Sequence, residues 1–147
     1  MNKKGDVIEV DITDFSTDGE GIGKTDAFTW FIKDSVIGDR VRAVVMKTKK
    51  SYGYARVVEI LKESKDRVEL RCPVARPCGS CTLQSVSYRA QLAFKQNKVI
   101  NNLIRLGGFS REALEEVEIV PIIGMKEPWH YRNKAQYPIG TDREGNL

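Results

Sequence analysis

Cysteine and histidine are nearly absent: the 147 residues contain three of the first and one of the second. An odd cysteine count argues against a disulfide framework. The opening Met-Asn-Lys-Lys-Gly-Asp leads into alternating residues rather than an apolar run, so no secretory signal is expected. With reduced thiols and no leader, the expected compartment is the cytoplasm. No glycine-rich strand–helix cofactor motif occurs, and no cysteine stands apart from the other two as a free nucleophile. Hydrophobic residues at 41% and charged residues at 30% exclude both a disordered chain and a membrane-spanning one. The net charge of +4 permits a polyanionic partner without requiring one.

What cysteine there is lies in one place. Cys72-Pro-Val-Ala-Arg-Pro-Cys78-Gly-Ser-Cys81 holds all three within ten residues, spaced C-x5-C-x2-C. Thiolates gathered that tightly suit a soft metal or an iron–sulfur cluster. Pro73 and Pro77 stiffen the run and Gly79 lets the last two sulfurs turn to one centre, so a loop without helix is expected. A fourth ligand must be His130 or lie beyond Leu147. Zinc held by Cys3His is a permitted alternative. Structural zinc sites usually pair two short knuckles, however, and only Cys78/Cys81 makes one here.

Residues 5 to 62 read as short strands between turns. Ile8, Val10 and Ile12 alternate with Glu9 and Asp11, and Phe28, Trp30 and Ile32 repeat the period. Val41, Ala43 and Val45 begin a third strand, and Tyr52 to Leu61 a fourth, across a Lys47-to-Ser51 hairpin. Between the first two, Ser16 to Lys24 reads as turn, its glycines suited to bulges or close backbone approach. That spacing suits a small closed or nearly closed barrel. Asp18-Gly-Glu-Gly-Ile-Gly-Lys24-Thr25 comes within one residue of a phosphate-binding loop. Strand-like residues follow it instead of a helix, and Asp18 and Glu20 repel phosphate, so nucleotide binding is rejected.

Charge is segregated along this stretch. Residues 5–39 carry nine acids against Lys24 and Lys33, a net of −7, and residues 40–62 carry seven bases against Glu59, a net of +6. The basic half holds Lys47, Lys49, Lys50 and Arg56 beside Tyr52, cations next to a flat ring on which a base can stack. A merely solvated hairpin is the plainer alternative.

Residues 63–71 form a charged connector. The period then changes to 3.6, with Tyr88, Leu92, Val99, Leu103 and Leu106 on one stripe that Ala93, Ile100 and Ile104 widen. A helix capped by Ser85 and stopped by Gly107-Gly108 is expected, its stripe forming core. A short helix follows near Ser110 to Glu116, then a buried strand from Glu118 to Ile123. Pro128-Trp-His-Tyr-Arg132-Asn133-Lys134 combines aromatics, cations and an amide, a mixture that can grip RNA or merely end a strand. Ala135 to Gly140 reads as strand and Thr141 to Asn146 as a hairpin turn. The return strand should begin at Leu147, so a fragment of a longer protein is expected.

These pieces resemble a known family. Residues 1–62, with Gly19-Glu-Gly21-Ile-Gly23, resemble a TRAM domain, an RNA-binding barrel related to the OB fold. Cys72, Cys78-Gly-Ser-Cys81 and Gln84, followed by Tyr88, Gln91-Leu92 and Lys95, resemble the cluster loop and helix of RNA uridine-5-methyltransferases of the ribosomal type. Tyr131-Arg132-Asn133-Lys134 resembles their central-domain motif. The resemblance implies an α+β chain: a barrel (1–62), a connector with cluster loop (63–84), and a long helix with part of a mixed central domain (85–147). It implies a [4Fe–4S] cluster on Cys72, Cys78 and Cys81, with the fourth cysteine outside this chain. It also implies structured RNA as partner, ribosomal before transfer, held by the barrel cations with Tyr52 and by Arg132, Asn133 and Lys134. No DNA and no membrane are implied. S-adenosylmethionine and catalysis belong to a domain absent here, so this chain alone should be inactive. Family members usually read Cys-Gly-Gly-Cys, and Ser80 departs from that. A stand-alone RNA-binding module with a structural metal loop is the alternative. A radical-adenosylmethionine enzyme is a weaker third, since both cysteine spacing and domain order differ.

Overall fold

The computed structural model describes residues 3–134, 136 and 139–146. Five strands form the first unit: β1 (Val7–Phe15), β2 (Gly21–Thr25), β3 (Phe28–Lys33), β4 (Arg40–Thr48) and β5 (Tyr52–Lys62). They close into a barrel in the order β1-β2-β3-β5-β4, with β3 and β5 parallel and every other pair antiparallel. Strict alternation drives the closure. Ile8, Val10, Ile12, Trp30, Ile32, Val41, Ala43, Val45, Ala55 and Val57 point inward and form one buried cluster. With one long and two short helices beside it, the chain is an α+β fold built on an OB-like barrel.

The barrel has one strand more than its hydrophobic alternation suggested. Gly21-Ile-Gly-Lys-Thr25 is strand rather than turn. Its glycines conceal the period because they bring no apolar side chain to the inner face. They are there for close approach: a Cβ on Gly23 would lie 2.2 Å from Val10 Cγ1 and 2.6 Å from the Asp11 carbonyl oxygen. Gly53 serves likewise under Trp30, whose ring would stand 2.3 Å from an added Cβ. Trp30 fills the barrel floor, and its indole N–H donates to Thr25 Oγ1 at 2.7 Å. No helix follows Thr25, in keeping with the rejected phosphate loop.

The connector is sewn to the barrel by a buried charge pair. Asp39, 1% exposed, accepts from Val36 N (2.7 Å), Ser64 N (2.9 Å) and Arg67 Nε (3.2 Å) and Nη2 (2.5 Å). Arg67 also donates to the Asp34 carbonyl at 3.1 Å and pairs with Val86 in an isolated bridge.

The cysteine run is not helix-free: α1 (Ala75–Cys78) makes one turn across it. Pro77 does not prevent this, because it sits in the first turn, where a backbone N–H has no intrahelical acceptor to lose. Gly79, at φ 69°, ends the turn and donates its N–H to the Ala75 carbonyl at 2.9 Å. The long helix α2 (Tyr88–Arg105) is capped by Ser87, whose hydroxyl accepts from Ala90 N, and not by Ser85. Ser85 is buried, and its carbonyl accepts from Val68 N. Phe94 and Ala90 pack with Phe15, Val36 and Val86 in a second cluster, the Phe15 and Phe94 rings 5.2 Å apart.

The apolar stripe of α2 is not core. No residue of α2 is buried, and Val99 and Leu106 are 60% and 82% exposed. The short α3 (Arg111–Glu115) starts where expected, with Ser110 accepting from Ala113 N. Residues 118–123 form no strand, and Ile123 is exposed. The Gln96 amide takes the place of a neighbouring strand: its Oε1 accepts from Ile122 N at 2.9 Å and its Nε2 donates to the Val120 carbonyl. The expected strand over 135–140 falls partly on residues 135, 137 and 138, outside the described residues; 136, 139 and 140 carry no strand. The turn at 141–146 is present, closed by Asp142 N donating to the Asn146 carbonyl at 3.0 Å.

Candidate nucleic-acid interface

The outward side chains of β3 and β5 build an aromatic platform. In the parallel register Phe31 stands beside Tyr54, with Tyr52 one outward position along. The three rings lie 5.6–5.7 Å apart, centroid to centroid, and each is half-buried. Tyr52 meets both other rings edge to face, at 89° and 81°, while Phe31 and Tyr54 are tilted at 32°. Burial, with the neighbouring Tyr52 and the more distant Glu20 and Asp18, raises the Tyr54 phenol above its ordinary value.

Lysine reaches this platform through a bulge. Between Val45 and Lys47 the β4–β5 register slips, so Lys47 rather than Met46 stands opposite Tyr54. A bulge re-aims a side chain in this way. Lys49 and Lys50 follow on the exposed hairpin, where Lys49 N donates to the Tyr52 carbonyl at 2.8 Å. None of these three lysines enters an ion pair among the described residues.

The three arginines of the basic half are neutralised across strands. Register sets Glu9 opposite Arg42, so Arg42 pairs with Glu9 (3.0 Å) and with Glu59, while Arg40 reaches Glu9 at 3.7 Å. Arg56 binds Asp34 at 3.0 Å and donates to the Arg76 carbonyl at 3.1 Å. The segregation of −7 and +6 along the sequence is therefore undone in space at its arginines, and the lysines keep their charge. Arg56 ties the cysteine segment to the barrel wall and is not held out as a free cation.

That segment docks through Arg76, which shares Asp34 with Arg56 and donates to the Val57 carbonyl at 3.0 Å. Gln84 Oε1 accepts from Cys72 N at 3.1 Å. Cys72 is half-buried, Cys78 and Cys81 are exposed, and all three are free thiols. The Ser80 hydroxyl, with Cys78 Sγ 3.2 Å from its oxygen, and then the Ser80 backbone N–H hold the Cys78 thiol below its ordinary value. The donors fit a thiolate-bound cluster by chemistry. Among the described residues no group of three or more His, Cys, Asp or Glu side chains is gathered as a metal site. His130, exposed and at φ 56°, does not join them. Arg132, Asn133 and Lys134 are exposed and make no hydrogen bond or ion pair to the barrel among the described residues. The segment before them is pinned where Arg71 lies 4.3 Å over the Trp129 ring.

Phe31 escaped the sequence reading. Its signal was present in Phe28-Thr-Trp-Phe-Ile-Lys33, where an aromatic falls on the face opposite Trp30 and Ile32.

A small closed barrel with rings and unpaired lysines on its outer wall, beside a docked cysteine turn, defines an OB-like binding module. Residues 2–58, which hold nearly the whole barrel, match the family model of the TRAM domain. The chain is 48% identical over 144 residues to an uncharacterized RNA methyltransferase of Halalkalibacterium halodurans, covering 98% of this chain and 30% of that protein. It is 45% and 43% identical, each over 138 residues, to uncharacterized RNA methyltransferases of Clostridium acetobutylicum and Listeria monocytogenes. Both matches cover 94% of this chain and 29% of the relative. The chain thus spans about 30% of the length of the curated relatives it matches. A conserved protein of Methanococcus maripaludis, solved in solution, is 28% identical with a TM-score of 0.36, covering 38% of this chain and 80% of that one. No helix among the described residues is long and apolar enough to cross a membrane.

Proposed function

We propose that this chain is the RNA-gripping part of an S-adenosylmethionine-dependent RNA methyltransferase. Its target is the C5 of a uridine in structured RNA, ribosomal before transfer RNA. The observation that carries the reading is the platform of Phe31, Tyr52 and Tyr54 with Lys47, Lys49 and Lys50 at its edge, on a TRAM barrel whose relatives are named RNA methyltransferases. Rings accept bases by stacking without regard to sequence, and lysines neutralise the phosphates between them. Arg132, Asn133 and Lys134 add a smaller, separate share.

Three neutralised phosphates correspond to a slope of about −2 in log K against log salt for single-stranded RNA. Reversing Lys47, Lys49 and Lys50 to Glu should weaken binding and flatten that slope together. A triple reversal that leaves both unchanged removes the hairpin from the interface. The stand-alone module remains the competing reading, distinguished by whether the whole protein methylates RNA. Attack on uracil C6 needs a thiolate poised beside a base, and the only thiols here are Cys72, Cys78 and Cys81. Incubated with labelled S-adenosylmethionine and uridine-rich RNA, this chain alone should incorporate no label above blank.

The same three cysteines are the proposed ligands of a [4Fe–4S] cluster, with a fourth thiolate from outside this chain. Its support is that they are the only thiols, free and within reach of solvent, on a segment already docked to the barrel. Bound there, the cluster would tie the segment at three points. Anaerobic reconstitution with iron and sulfide should give a brown protein whose broad absorbance is bleached by reductant. Stoichiometric zinc uptake with no iron would overturn the assignment.

A further inference from the structure

A second polar surface lies away from the platform. A groove of about 740 Å³ runs between α2 and the barrel, bounded on the barrel side by Phe15, Ser16, Thr17 and Val36. On the helix side Arg89, Ala93, Asn97, Asn101 and Arg105 recur every four residues, with Lys98 and Asn102 beside them. Spacing of four sets them along one ridge, about 24 Å long, that winds slowly round the helix.

This face is hard to explain by folding. The eighteen residues of α2 contain Arg89, Lys95, Lys98 and Arg105 and no acid at all. Arg89 even occupies the first turn, against the helix dipole, with only Asp66 near it at 3.5 Å. Asparagine is a poor helix former, yet three stand within six residues. The glutamines of the same helix have structural work: Gln91 donates to the Leu83 and Val86 carbonyls, and Gln96 holds Val120 and Ile122. The side chains of Asn97, Asn101 and Asn102 make no hydrogen bond among the described residues and are exposed. Lys98 spends one of its three donors on the Thr17 carbonyl, at 2.8 Å.

We propose that this groove is a second seat for single-stranded RNA. Lys98 and Arg105 meet the phosphates, and Asn97, Asn101 and Asn102 meet base edges. An amide presents donor and acceptor side by side, the pairing an unstacked base edge requires. Asp14 and Asp66 also line the groove. Asp66 is taken up by Arg89 and Ser87, and Asp14 keeps its charge while accepting from Phe15 N, so Lys98 and Arg105 against Asp14 leave the groove net positive by one. Ser16 and Thr17 of the turn at 16–20 border the groove. A strand too long for the platform alone occupies both, with its phosphates kept clear of Asp18 and Glu20 in this turn. The inference rests on the reading of the chain as an RNA binder and adds where a longer strand runs.

The test uses the whole chain with RNA oligonucleotides of four and twelve nucleotides, lengths within the range single OB-like barrels cover. The triple variant Asn97→Ala, Asn101→Ala and Asn102→Ala should bind the twelve-mer at least about 10-fold more weakly, as expected for several lost hydrogen bonds. It should bind the four-mer as the parent does. Because alanine is the better helix former, its Tm should rise, which separates lost contacts from lost fold. Arg105→Ala should reduce the salt slope for the twelve-mer by about 0.7. Unchanged twelve-mer affinity in the asparagine variant, with normal parent binding, overturns the groove and leaves the platform standing. A parent chain that binds neither oligonucleotide overturns both.

Discussion

Replacing Asp39 by alanine should destabilise the chain by about 3–5 kcal/mol, the cost of stranding a buried charge. The side chain is 0% exposed, and that of its partner Arg67 is 14% exposed. Truncation leaves a guanidinium with little water and removes the acceptor of both Val36 N and Ser64 N. For a chain of this size the loss corresponds to a fall in Tm of about 10 °C or more. Asp39→Asn, which keeps the shape, should cost less. Glu59→Ala, at the exposed end of the Arg42 pair, should cost under about 1 kcal/mol. Thermal unfolding followed by circular dichroism ranks the three. Equal costs for Asp39→Ala and Glu59→Ala would show that burial does not govern this pair.

RNA affinity should fall by about 1–3 kcal/mol, roughly 5- to 150-fold, for each of Phe31→Ala, Tyr52→Ala and Tyr54→Ala, the usual loss of one stacking ring. Tyr52→Phe and Tyr54→Phe should stay close to the parent, because the ring face and not the hydroxyl carries the contact. All five variants retain the inward residues of β3 and β5, so the barrel should persist. Fluorescence anisotropy with a short single-stranded RNA reads the series. A Phe31→Ala chain that binds as tightly as the parent removes the platform from the interface, since this ring lies within 5.7 Å of both the others.

Most of the barrel was legible because its chemistry has period two. Ile8-Val10-Ile12 and Val41-Ala43-Val45 announce both strand and inner face. β2 was hidden, since Gly21 and Gly23 occupy the inner face without side chains. α1 was hidden because Pro77 reads as a breaker, and only its position within the turn shows that it breaks nothing. Charge was legible in amount and not in consequence. Glu9 and Arg42 are 33 residues apart and become neighbours only through strand register. The same register delivered Lys47 to Tyr54, and the bulge behind it follows no simple pattern. The exposed stripe of α2 shows the converse limit: period 3.6 identifies a helix and its apolar side, while what covers that side depends on the neighbours it has.

Closure of the barrel also governs how a partner can approach. Every strand from β1 to β5 has a hydrogen-bonded neighbour on both sides. No strand offers a free edge along its whole length; β5, for one, pairs with β3 only as far as Arg56, so an extended peptide or a second copy finds little edge on which to add a strand. Recognition by the barrel is confined to side chains projecting from a sealed cylinder. Its selectivity can then be rewritten position by position on the outer wall without unpicking the backbone ladder.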